Sequence, residues 1–294
     1  MFLRLHRVVT RTLLTAAAAA ALLLPGFARA DIALYHVGYE NRSIIAAGTY
    51  AGLPNPNHNH LTFLYSHLYP TTPTSNHFHR IGARSDTGPA ASPTIVNTSA
   101  NNRIPEPGAN LPPLTLQTGS GAFAGTFRSG LPSTALQDEE YGNIVVRPVD
   151  DLFQYDNVVE QAGSPPLFHA GHYLLNTSSG VYKSSVAATT VQLKLLSITP
   201  GLSISLDDGS PILTSIGSLH TLGAGASWEF RPVFSVASSA LPGSNYSAQF
   251  QLINGGGSAL GDGASFSFDF RVIPEPASLA LLAMGGAVMG LRRR

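Results

Sequence analysis

Apolar and polar residues alternate with a period of two through the second half of the chain. Thr189 to Ile198, Leu202 to Leu206, Ser227 to Val236, Tyr246 to Ile253 and Ala264 to Val272 all carry this pattern. A residue on a strand points to the face opposite its neighbour, so each run predicts a strand with one buried face. Thr199-Pro200-Gly201, Asp207 to Pro211, Leu241-Pro242-Gly243 and Asn254 to Gly257 lie between the runs and supply turn chemistry. Short alternating strands at this spacing predict an all-β fold, an antiparallel β-sandwich of Ig-like or jelly-roll-like type. The last two runs, joined by a Gly-rich loop, predict a terminal hairpin.

The first half is less regular. Residues 86–121 are rich in Pro, Ser, Asn and Gly and contain Ile104-Pro-Glu-Pro-Gly108, which reads as one long loop rather than core. No sustained helical period appears, apart from a short turn near Thr134 to Tyr141. A soft boundary near residue 170 separates a His-rich β region (31–170) from a β-sandwich region (171–273), and a single interleaved domain gives the same pattern.

Both ends differ from the body. Arg4, Arg7 and Arg11 precede an apolar run from Leu13 to Leu24, then Pro25-Gly26 and Ala28-Arg29-Ala30. Residues 1–30 therefore have the three parts of a secretory signal peptide, with a signal helix and cleavage before Asp31. At the other end, Pro274-Glu275-Pro276 is followed by an uncharged stretch from Ala277 to Leu291 and by Arg292-Arg293-Arg294. Fifteen helical residues rise about 22 Å, enough for a short apolar membrane helix with snorkelling arginines on the cytoplasmic side. Residues 274–294 resemble the PEP-CTERM sorting signal of Gram-negative bacteria. That resemblance implies exosortase as partner, a membrane contact through the C-terminal helix before processing, and delivery from an inner-membrane-anchored intermediate to the cell envelope or outer surface.

Composition matters once the ends are set aside. The whole chain balances 17 basic against 17 acidic residues, whereas Asp31 to Ile273 keeps 10 and 16. This acidic body lacks the positive footprint that nucleic acid requires. The chain has no cysteine, which excludes thiolate metal sites, cysteine nucleophiles and disulfides.

Histidine is the unusual residue. Six of the nine in the body fall between His36 and His79, patterned as His58-Asn59-His60, His67 and His77-Phe78-His79. On a strand, a His-x-His pair places both imidazoles on one face, roughly 6.5 Å apart. Leu61 to Tyr69 reads as a strand, Pro70 to Asn76 as a turn, and His77 onward as the returning strand. Opposing Tyr69 to His77 puts His67 opposite His79, with His77 on the same face. Clustered imidazoles without thiolate suit zinc, then copper or nickel. His169-Ala-Gly-His172 adds a loop pair that counts only if the fold brings it to the first group. The candidate ligands are thus His58, His60, His67, His77, His79, His169 and His172. His36 shares strand parity with Glu40, and His220 stands alone.

A second resemblance rests on Gly48 to Asn57, Leu61 to Tyr65, Ser75 to Gly82 and the Tyr246 to Leu252 hairpin strand. These stretches are similar to a PEP-CTERM family controlled by the zinc-uptake repressor, which implies a role in low-zinc conditions. Catalysis is not expected. Neither His-x-His pair is followed by the glutamate of a cupin site. No nucleophile elbow, phosphate loop or His-Glu-x-x-His helix is present, and Asp138 to Glu140 and Asp150-Asp151 read as solvated turns. Two readings stand: an exported metal-binding protein for extracytoplasmic capture or handling, and a structural surface or matrix protein of adhesion type.

Overall fold

The computed structural model describes residues 32–69, 71–97, 102–107, 112–130 and 144–273. The expected signal helix, the expected turn near Thr134 to Tyr141 and the expected C-terminal helix lie outside these residues. Among the described residues, no helix is long and apolar enough to cross a membrane.

The protein is mostly β-sheet with few helices. Its first strands are β1 (Tyr35–Tyr39), β2 (Leu61–His67), β3 (His77–Arg80), β4 (Ser85–Thr87), β5 (Thr94–Val96), β6 (Arg103–Ile104), β7 (Leu114–Thr118), β8 (Thr126–Arg128) and β9 (Val146–Pro148). A 3-10 turn, Val149–Tyr155, follows, then β10 (Val159–Gln161), β11 (Leu167–Phe168) and the helix α1 (Ala170–Asn176). The described residues close with β12 (Val191–Ile198), β13 (Ser203–Leu206), β14 (Leu219–Gly223), β15 (Pro232–Ala237), β16 (Asn245–Asn254) and β17 (Ser265–Val272).

The period-two runs become the large curled sheet, ordered β13-β15-β8-β7-β17-β16-β12-β14, with β6 also on β17. Phe266, Phe268, Phe270 and Val272 alternate along β17 and are all buried. On β16, Phe250 opposes Phe266 and Ala248 opposes Phe268, so the hairpin presents one continuous apolar face. A smaller sheet runs β3-β2-β1-β9. It lays Tyr35 and Phe63 on that face: Phe63 stacks on Phe266 at 4.3 Å between centroids, and Tyr35 meets Phe268 edge-on at 5.6 Å. Offset and edge-on aromatic pairs add about 0.5–1.5 kcal/mol each beyond the area they bury.

Three expectations change. Pairing is antiparallel in most pairs, but β1–β9, β17–β6 and β17–β7 are parallel. The stretch read as one long loop instead supplies β5, β6 and β7, with Ile104, Leu114 and Leu116 buried in the core. Its Pro and Asn content hid strands of two to five residues, too short to show a period. The helix α1 was also unforeseen, since seven residues complete only two turns. Strands from both sides of residue 170 share the large sheet.

Candidate metal centre

Leu61, Phe63, Tyr65 and His67 fall on one face of β2 by strand parity. The first three are buried, and Phe63 and Tyr65 continue the aromatic layer between the sheets. The row ends at His67, whose ring meets the edge of Tyr65 at 4.6 Å. On β3, His79 opposes Tyr65 and His77 opposes His67. The expected register set His67 against His79, and the observed one differs by two residues. A shift of one would have turned the histidines to the other face, whereas a shift of two preserves the face and changes only the partner. The cause is the turn. Pro73–Ser75 forms a 3-10 turn, and the Asn76 side chain accepts from the Tyr69 backbone N–H at 2.7 Å, so Tyr69 belongs to the connection and β2 stops at His67.

The three imidazoles therefore gather on one face. Ring centroids lie 5.0 Å apart for His67–His77, 4.1 Å for His67–His79 and 4.9 Å for His77–His79. One nitrogen from each falls within 4.8 Å of the others, the one such grouping of metal-ligating side chains among the described residues. His67 Nε2 and His79 Nδ1 are 3.1 Å apart. Two nitrogens at zinc-bond length on a tetrahedron are separated by about 3.3 Å. His77 donates Nδ1–H to the Ser75 carbonyl at 2.8 Å, which leaves Nε2 as its lone-pair nitrogen and orients the ring. Tyr69 stacks on His77 at 6.0 Å between centroids.

Sequence reading missed Glu106. Its side chain is 5% exposed, with one carboxylate oxygen 2.9 Å from His67 Nε2 and the other hydrogen-bonded by His79 Nδ1. Strand β6 delivers it. Arg103 and Ile104 pair parallel with Ser267 and Phe268 of the large sheet, and Asn102 ties this segment to the Ala83 backbone at 3.1 and 2.8 Å. The site thus lies between a hairpin of one sheet and a segment held by the other. Burial pushes the Glu106 carboxyl up, but hydrogen bonds from His67 and His79 outweigh it and hold the pKa at about 2. The carboxylate stays ionised beside three imidazoles. One signal could have found it: Glu106 is the sole carboxylate between Asp86 and Asp138.

The other candidates sit elsewhere. His58 and His60 do not lie on a strand; they flank Asn59, whose φ of 57° makes a turn before β2, so their rings do not share a strand face. His60 Nδ1 bonds the His58 carbonyl at 2.9 Å, and burial, then Arg84, holds its pKa below the ordinary value. His169 and His172 are not a loop pair. His169 caps α1, its Nδ1 accepting from Gly171 N–H at 3.1 Å, and its ring stacks on Tyr155 at 4.0 Å. Burial pushes its pKa down against the opposing pull of Glu160. His172 Nδ1 lies 3.1 Å from Asp156 and its ring stacks on Phe168. His36 is fully buried, 3.0 Å from Ser66 Oγ, and burial, then Arg147, lowers its pKa to about 3. His220 rests against Phe230. Asp150, expected in solvent, is buried and accepts from Ser185 and from Val186 N–H.

Residues 272–294 match the PEP-CTERM protein-sorting motif. This motif is recognised by exosortase, so the chain is exported and passes through a membrane-anchored sorting intermediate to the cell envelope or surface. No curated protein and no solved structure matches the chain.

Proposed function

We propose that this exported, exosortase-sorted protein binds a divalent transition metal at His67, His77, His79 and Glu106, for extracytoplasmic metal capture or handling. Zinc is the first choice, with copper or nickel next, because neutral imidazole and carboxylate without thiolate suit these ions. The observation that carries the reading is the convergence of three imidazole nitrogens within 4.8 Å, two of them already on a buried ionised carboxylate. Metal entry displaces the protons that His67 and His79 share with Glu106, so binding weakens as the solution is acidified. The site lies at the rim of what we read as a β-sandwich of Ig-like or jelly-roll-like type, with 33–273 acting as one body. Control by the zinc-uptake repressor belongs to the same proposal and would place the protein in low-zinc conditions.

The test is a zinc titration of the purified, metal-stripped full-length chain against a competing chelator. A dissociation constant near micromolar or below, about −8 kcal/mol, lost in His67→Ala and His79→Ala, supports the reading. Binding only at millimolar zinc, or binding unchanged in those variants, transfers the protein to the structural surface or adhesion class.

A further inference from the structure

Beside the histidines, the outer edge of β3 borders a cleft of about 340 Å³. Its walls are Phe78, His79 and Arg80 on one side, Glu40 and Arg42 on a second, and Ser178, Val181 and Tyr182 on a third. The volume suits a small organic molecule, and the lining is unusually charged for one.

Arg80 commits Nη1 to the buried Glu40 carboxylate at 2.9 Å, and Arg42 commits Nη2 to the Ser178 carbonyl at 2.6 Å. A guanidinium carries five N–H donors in a fixed fork, so each contact leaves a planar set of donors for a further acceptor. Two guanidinium groups against one carboxylate leave the cleft with an excess of one positive charge. Tyr182 adds a phenolic hydroxyl; burial pushes its pKa up, with Arg80 opposing, so it stays protonated and able to donate. The rim is held by an uncommon backbone. Ser178, Ser179 and Gly180 have successive φ values of 50°, 63° and 70°. Non-glycine residues adopt that region at a cost of about 1 kcal/mol or more each, and such strain persists where surrounding contacts impose a geometry.

We propose that this cleft binds a small oxyanion, a carboxylate or a phosphate, held by Arg42, Arg80 and Tyr182 with His79 at its border. Both anions present the paired oxygens that an arginine fork accepts. The inference stands on the cleft alone and does not need a metal on the histidines.

The experiment titrates inorganic phosphate and citrate separately into metal-stripped full-length protein by calorimetry. Submillimolar binding of either anion is expected, and the stronger one names the class. Arg42→Gln weakens it by about tenfold or more, as loss of a charge-assisted hydrogen bond requires. Tyr182→Phe weakens it by a smaller factor, and His220→Ala, at a residue that does not line the cleft, leaves it unchanged. Glu40→Gln keeps a hydrogen-bonding group beside Arg80 and removes the competing charge, so binding tightens; this gain cannot come from misfolding. Absence of binding by both anions below about 10 mM (about −2.7 kcal/mol), or affinities unaltered by Arg42→Gln and Glu40→Gln, overturns the proposal.

Discussion

Two groups of histidines in this protein face opposite ways, chemically. On the β2–β3 hairpin, His67, His77 and His79 turn nitrogens toward one another and toward Glu106. Around α1, His169 and His172 spend theirs locally, one on a helix cap and one on Asp156, with each ring stacked on an aromatic neighbour. The spacing in sequence differs by a single residue, i+2 against i+3. The lesson is that a strand accumulates like side chains on one face and its antiparallel partner doubles them, whereas a helix start offers a backbone N–H that a capping side chain satisfies at once. Convergence makes a site; local satisfaction makes structure.

The largest expected effect separates the two groups directly. His67→Ala or His79→Ala raises the zinc dissociation constant by at least about 100-fold, beyond the range for outer-shell losses. His169→Ala and His172→Ala leave it within about twofold, a difference below roughly 0.5 kcal/mol. Chelator competition reads both, and a comparable loss in the α1 variants would collapse the contrast. Glu106→Gln comes next, with metal affinity reduced by roughly 10- to 100-fold, in the same assay.

His36 extends the contrast to the other face of the small sheet. Its folded pKa of about 3 lies below the ordinary 6.5, with burial the first cause and Arg147 the second. Between pH 6.5 and 3 the unfolded chain takes up a proton that the folded chain refuses. Stability therefore falls on acidification through this window, by up to about 1.4 kcal/mol per pH unit from this group. Denaturant unfolding at stepped pH reads the slope, and His36→Gln should flatten it whatever it does to the baseline. The smallest effect is the cap. His169→Ala should cost about 1 kcal/mol, seen as a thermal midpoint lowered by about 2–4 °C, with no change in metal binding.

Much of this was legible along the chain. The alternation in Tyr246 to Ile253 and Ala264 to Val272 maps onto β16 and β17, since a strand with one buried face must alternate. The shared face of His67, His77 and His79 was legible for the same reason, even though the register was set by Asn76 and the 3-10 turn, which no periodicity reports. Strands β5 to β7 were not legible, because two to five residues among prolines carry too little pattern. The sorting motif at 272–294 was readable in full, as it is a linear signal.

The sequence alone determined the export address, the β class, the absence of thiolate chemistry and the parity that places three imidazoles together. Only the tertiary structure decided that Glu106 joins them. Its position depends on β6 pairing with β17, a contact across more than 160 residues. Local propensity and periodicity act over a few residues, whereas that pairing is fixed by the packing of two sheets on a common aromatic layer. The same packing left His58 and His60 outside the trio, although their spacing suited a metal, and kept away His169 and His172, which counted only if the fold brought them close.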